Sequence, residues 1–185
     1  MSPSWERNCA EMAVALRFGL LTVSDRSARG QRPDLAGPAL QERIFAQGWQ
    51  VERQAVIPDD LPAIATILLS WVDSGKVDII LTTGGTGFSR RDVTPEATQQ
   101  VIQRQAPGLA EAMRQVSLQV TPHAMLSRAM AGIRGQTLII NLPGSPKAAL
   151  ENLAVILPVL PHAVQLLRED SAAEAGHAYS VPPSG

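Results

Sequence analysis

The sequence predicts an α/β fold: a three-layer sandwich with a mostly parallel sheet and helices on both faces. Three observations carry this. Apolar runs of strand length alternate with amphipathic helical segments, the β-α-β-α order that builds parallel sheets. Polar or glycine-rich loops follow four of those runs, at the strand ends where such sheets hold their ligands. A chain of 185 residues, 45% of them hydrophobic, has enough length and apolar content for one well-filled domain.

The elements follow in order. Residues 1–15 read as an N-terminal tail and 16–168 as the domain. Residues 169–185 are rich in Ala, Ser, Pro and Gly and are predicted to be a disordered tail. Residues 16–24 predict a first strand, and 37–48 a helix with Leu40, Ile44 and Phe45 on one face. A second strand is expected at 49–57, an amphipathic helix at 61–74 and a third, buried strand at 77–81. Thr94-Pro95 opens a helix, with Thr94 as N-cap and Pro95 at the first helical position. Helical patterns run through 98–104 and 108–119, and 124–134 lies between helix-like patterns. A further strand is expected at 137–142, after which Ser145 caps a helix that Pro146 begins. The strand order is not readable from this pattern.

Composition excludes several classes. A formal net charge of −1 predicts no global attraction to nucleic acid or to an anionic membrane. No run of 18 apolar residues goes uninterrupted, because Arg17 breaks the apolar segment 12–23. Cys9 is the only cysteine, so no intrachain disulfide is possible, and a reducing cytoplasm is the expected compartment. The three histidines show no metal-ligand spacing, and no G-x-S-x-G nucleophile elbow is present.

The chemistry gathers in TTGGTGFSRRDVTPEAT, residues 82–98. Gly84, Gly85 and Gly87 let a ligand approach the main chain, and a turn of this kind converges N–H groups on an anion. Arg90, Arg91 and Asp92 add charge for a phosphate and its cation. This is neither a Walker loop nor a dinucleotide G-x-G-x-x-G. Asp59 and Asp60 leave the second strand, and by residue type either caps the next helix. Asp59 and Asp92 in one cleft would instead suit magnesium, which takes few carboxylates plus substrate phosphates. The helix start at Ser145-Pro146 is a second place for an anion. Ser127-Arg128 reads on its own as a surface polar pair.

Taken together, Thr82-Thr83-Gly84-Gly85-Thr86-Gly87 and Arg91-Asp92-Val93-Thr94-Pro95-Glu96-Ala97 resemble the molybdenum-cofactor biosynthesis domain. The likeness is to its molybdopterin adenylyltransferase branch, the MogA-like proteins and gephyrin G domains. Val23-Ser24-Asp25-Arg26, Ile57-Pro58-Asp59-Asp60, Met125-Leu126-Ser127-Arg128, Gly132-Ile133-Arg134-Gly135 and Asn141-Leu142-Pro143-Gly144 match in the same order, over about residues 16–167. The resemblance implies a homotrimer that uses Mg2+ to transfer AMP from ATP to molybdopterin, releasing pyrophosphate. It further implies hand-over of the product to a molybdate-inserting protein. Asp59 and Asp92 correspond to the family's essential, metal-associated aspartates. Ser127 and Asn141 correspond to substrate-binding positions. Thr83, Gly84, Gly85, Thr86, Gly87, Arg91, Pro143, Gly144 and Ser145 correspond to loops around the nucleotide and pterin. Two positions depart from the pattern: Ala36 stands where many members have Ser, and Ser145 where relatives often have an amide. The alternative within the family is a MoaB-like protein that binds molybdopterin with little or no catalysis.

Overall fold

The computed structural model describes residues 15–169. Apart from Ala15 and Glu169, the two expected tails, with Cys9 and His177, lie outside the described residues. The strands are β1 Arg17–Val23, β2 Gln50–Ile57, β3 Ile79–Thr83, β4 Arg104–Gln105, β5 Ala131–Arg134 and β6 Thr137–Leu142. They form one sheet in the order β2-β1-β3-β6-β5-β4. The β2, β1, β3 and β6 strands pair in parallel, whereas β5 runs antiparallel to both β6 and β4. The antiparallel edge corrects two expectations: 131–134 is a strand rather than a linker between helices, and 104–105 is strand rather than helix end.

The helices are α1 Asp25–Ala28, α2 Ala36–Phe45, α3 Leu61–Asp73, α4 Thr94–Val101, α5 Pro107–Val120, α6 Pro146–Ile156 and α7 Leu160–Leu167. Successive strand residues point to opposite faces, and the two cores divide accordingly. Leu20, Leu81 and Ile140 stand side by side in register and pack with Leu40 and Ile44 of α2, Met113 of α5, Leu153 of α6 and Val164 of α7. Leu21, Ile80 and Ile139 face the other way, against Ile64, Leu68 and Trp71 of α3 and Ala97 and Val101 of α4. Three layers result, as the sequence predicts. Gly19 admits Trp71 to the sheet: a Cβ there would lie 2.7 Å from the indole Cε3.

The helical run Pro146–Leu167 is long and apolar enough, by composition alone, to cross a membrane. Its Ala149, Leu153, Ile156, Leu160 and Val164 are instead packed into the first core.

At the amino edge of the sheet, buried Asp78 accepts from the Arg17 main-chain N–H (2.9 Å), from Arg17 Nη2 (2.9 Å) and from Arg168 Nη2 (2.7 Å). Burial pushes this carboxyl up, but the hydrogen bonds from Arg17 and Arg168 together hold it below the usual carboxylate range.

Candidate functional site

The parallel strands β1, β2, β3 and β6 end at one edge, and the four loops that leave them meet there. The loop after β3 is shaped by its glycines. Gly84 has φ +100° and Gly85 φ +63°, conformations that side-chain-bearing residues avoid. Space is equally restrictive. A Cβ on Gly85 would approach Asp59 Oδ1 to 2.9 Å, and one on Gly87 would approach Asp92 Oδ2 to 2.9 Å. Both carboxylates therefore stand directly against the glycine turn.

The loop after β6 interlocks with it. Thr83 Oγ1 donates to the Pro143 carbonyl (2.7 Å), the Gly84 N–H donates to the Leu142 carbonyl (3.2 Å), and Gly144 packs against the Gly84 backbone. The sequence predicts Thr94 as the cap of α4, but it is the first residue of that helix, and its buried hydroxyl donates to the Gly84 carbonyl (2.9 Å). The Thr94 N–H also donates to the Gly85 carbonyl (3.1 Å). The turn's buried carbonyls need donors, and this requirement outweighs capping at Thr94. Ser145 occupies the N-cap position of α6 as expected, without a side-chain capping bond.

The structure resolves the choice between the adjacent aspartates. Asp60 Oδ1 accepts from the Ala63 N–H (2.9 Å) and caps α3, which leaves Asp59 to the cleft. Asp59 is tied reciprocally to Asp25: its Oδ2 accepts from the Asp25 N–H (2.9 Å), and its own N–H donates to Asp25 Oδ1 (3.2 Å). Asp25 in turn accepts a two-pronged contact from Arg91, Nε and Nη2 each at 2.9 Å. The electrostatic outcome is asymmetric. Hydrogen bonding from Arg91 holds the Asp25 carboxyl down. Burial, reinforced by the neighbouring charges of Asp25 and Asp92, pushes the Asp59 carboxyl up. Asp92 Oδ2 accepts from the Ser89 N–H (2.9 Å), which closes a tight turn.

These groups line a cleft of about 650 Å³. Of the residues expected from the sequence, Asp59, Thr83, Gly84, Gly85, Arg91, Asp92, Gly144 and Ser145 border it. Thr86, Gly87, Ser127 and Pro143 border a second cavity of about 280 Å³, which also takes in Ala124, Leu126 and Ala148. The glycine loop contributes to both cavities. Asn141 borders neither: it is fully buried, and its Nδ2 donates to Thr82 Oγ1 and Thr98 Oγ1, both at 2.9 Å. Its side chain ties β6 to β3 and α4. The cleft also takes in Asp25 and Arg26, which the sequence places in a loop at this edge without assigning them a role, and Arg32 and Asp34, which sequence reasoning missed. The signal for Asp25 was its place at the end of a first strand, two residues past the last apolar position. Asp34 Oδ1 accepts from the Ala36 and Gly37 N–H groups, while its Oδ2 accepts from the Thr22 hydroxyl. Ala36 thus reaches this network through its main chain.

Among the described residues, no three His, Cys, Asp or Glu side chains gather into a ready metal cage. Asp59 and Asp92 fit a cation of the magnesium type, which completes its coordination with water and phosphate oxygens. Burial and the neighbouring carboxylates outweigh the attraction of Arg91 and push the Asp59 carboxyl up.

A glycine turn between acidic walls suits a phosphate compound carried with a cation, and that is the class of α/β binding domain the cleft defines. Residues 19–162 match the family described as "Probable molybdopterin binding domain", and the chain belongs to that family. It is 46% identical over 159 residues to gephyrin of Dictyostelium discoideum, an alignment covering 80% of this chain and 22% of that one. The chain thus spans about a fifth of that relative's length. It is 45% identical over 141 residues to the molybdopterin adenylyltransferase of Escherichia coli K12, covering 75% of this chain and 72% of the enzyme. The crystal structure of the molybdopterin biosynthesis enzyme MoaB from Thermus thermophilus superimposes with a TM-score of 0.79. It shares 50% identity and covers 84% of this chain and 98% of that one.

Proposed function

We propose that this chain is a molybdopterin adenylyltransferase: it transfers AMP from ATP to the terminal phosphate of molybdopterin in molybdenum cofactor biosynthesis. The observation that carries the reading is the meeting of Asp59, Asp92 and the glycine turn around one cleft, in a chain 45% identical to an enzyme of that name. An oxygen of the molybdopterin phosphate attacks the α-phosphorus of ATP. The new P–O bond forms as the bond to the bridging oxygen breaks, and pyrophosphate leaves with that oxygen. A phosphate monoester has a second pKa of about 6, so the nucleophile is already largely dianionic at neutral pH and needs no strong base. The task is to hold two anions in line. The turn at Gly84–Gly87 cradles nucleotide phosphates, and Gly144 and Ser145 border the same space. The second cavity, with its apolar wall and Ser127, suits the pterin. Asp59 and Asp92 are the residues that would hold Mg2+, which would supply charge screening for the phosphates. Asn141 serves by fixing the strand ends rather than by touching substrate.

One observation favours a second reading, binding without chemistry: Arg91, a cation that borders the cleft, is already paired with Asp25. A homotrimer is supported by the exposed apolar side chains Val116, Val120, Met125 and Leu126 on α5 and the turn after it. A single cysteine agrees with a reducing cytoplasm. Hand-over to a molybdate-inserting protein would follow from the chemistry of the product.

The test is to incubate the protein with molybdopterin, ATP and MgCl2 and to measure pyrophosphate and adenylylated pterin together. Equal amounts of both, lost on chelation of the metal, support the transferase. Molybdopterin binding without either product selects the binding protein.

A further inference from the structure

The segment that carries Asp92 has almost nothing apolar to hold it. Phe88, Ser89, Arg90 and Arg91 are all exposed, with Phe88 at 68%. A loop without buried side chains takes its shape from polar ties and opens easily when they are few. Beside the Arg91–Asp25 pair and the Ser89–Asp92 turn, one side chain ties both ends of the segment from outside the cleft. Arg128 Nε donates to the Gly87 carbonyl (2.7 Å) and its Nη2 to the Asp92 carbonyl (2.6 Å). These carbonyls are the two stems of the exposed segment, so a single guanidinium bridges them. The Arg128 main-chain N–H donates to the Thr86 carbonyl (2.9 Å), which fixes the glycine turn to the same residue. Its Nη1 pairs with Glu96 in the first turn of α4, and this sets the plane of the guanidinium. Arg128 borders a shallow surface hollow with Phe88, Arg90 and Glu96, not the cleft, so it does not face the phosphates.

We propose that Arg128 is the positioning residue of the phosphate and metal site, a staple that holds the glycine turn and Asp92 at a fixed separation. The proposal rests on the adenylyl-transfer reading for its effect on turnover. Its structural half stands apart from that reading. Arginine suits this role and lysine does not, because a planar fork donates to several fixed acceptors at once whereas an ammonium is a point donor. Gly87 packs against the Asp92 carboxylate, so splaying the stems moves that carboxylate away from the turn. Displacement on the 1 Å scale is enough to cost roughly 100-fold in rate.

The experiment compares the full wild-type chain with Arg128→Ala and Arg128→Lys by two readouts. The first is amide hydrogen exchange without substrates. The proposal expects residues 86–92 to exchange at least about tenfold faster in Arg128→Ala while the sheet amides keep their protection. The second is pyrophosphate release across a MgCl2 titration. Here the expected outcome is a roughly 10–100-fold fall in kcat with a several-fold rise in the half-saturating Mg2+. Arg128→Lys should fall between, and added ethylguanidinium should restore part of the Arg128→Ala rate. Wild-type exchange at 86–92 in Arg128→Ala overturns the proposal. So does lost turnover with an unchanged Mg2+ requirement and no rescue. If the wild-type chain itself releases no pyrophosphate, the transferase reading fails, and the exchange measurement alone decides whether Arg128 is the staple.

Discussion

Asp78 and Asp59 lie at opposite edges of the same sheet, both withdrawn from water, and their carboxyls are displaced in opposite directions. Asp78 is buried between two guanidiniums and is held ionised. Asp59 is half-buried beside two other carboxylates, and burial with that repulsion pushes it toward the neutral form. The first arrangement satisfies its charge within the fold. The second leaves charge that a ligand cation would satisfy. On the proposed reading, the difference separates a carboxylate that serves stability from one that serves binding, even though both are aspartates at strand ends.

The largest effect expected is on turnover. Asp92→Ala should lower kcat by about 10²–10³, the loss of one charge-stabilising contact, with little change in Tm. Asp59→Asn should do the same, measured as pyrophosphate release at saturating Mg2+. Near-wild-type turnover in either folded variant would break the comparison at its functional end. Asp78→Ala should do the reverse. Unpairing a buried ion pair costs about 3–5 kcal/mol. Arg17 and Arg168 are each roughly a third exposed and can turn to water, so we expect about 2–3 kcal/mol by urea titration, with activity retained in the folded fraction.

The pH dependence sharpens the contrast by sign. The Asp78 carboxyl is lowered in the fold, so its stabilisation is present above the unfolded value of about 3.9 and is lost as pH falls through the folded one. The Asp59 carboxyl is raised, so metal-free stability declines as pH rises from about 3.9 through the folded value. At neutral pH without Mg2+, Asp59→Asn should therefore raise Tm and Asp78→Asn should lower it. Equal signs in a calorimetric scan would contradict the assignment. The smallest effect marks the baseline: Lys147 and Glu151 are exposed and 3.9 Å apart, and Lys147→Ala should change stability by less than about 0.5 kcal/mol.

Most of the fold was legible because burial and period agree. The β1, β2, β3 and β6 strands are apolar or alternating runs flanked by turn residues, and each falls within a few positions of its predicted place. The antiparallel edge was not legible. Ala131-Gly132-Ile133-Arg134 is short and carries a glycine where a side chain would clash, since a Cβ would lie 2.9 Å from the Arg104 carbonyl. Nothing local marks such a segment as a strand; its pairing with β6 does. The site divides in the same way. Asp92 and the glycines announced themselves by composition. The roles of Thr94, Asn141 and Arg128 did not, because their partners are main-chain carbonyls or buried hydroxyls that leave no trace in residue type. By residue type alone Asp59 and Asp60 were equivalent; the resemblance singled out Asp59, and the course of the chain into α3 makes Asp60 the cap.

The Asp78 cluster also decides where the domain can be joined to other chains. Arg17 opens the first strand and Arg168 follows the last helix, and both are bonded to the same carboxylate. Entry and exit of the folded unit thus share one point at the amino edge, the full length of β3 away from the glycine turn. A partner domain fused before Arg17 or after Arg168 starts on the side away from the cleft. Such a unit can be inserted into a longer polypeptide as a cassette without rebuilding its mouth, an economy well suited to a family with members several times its length.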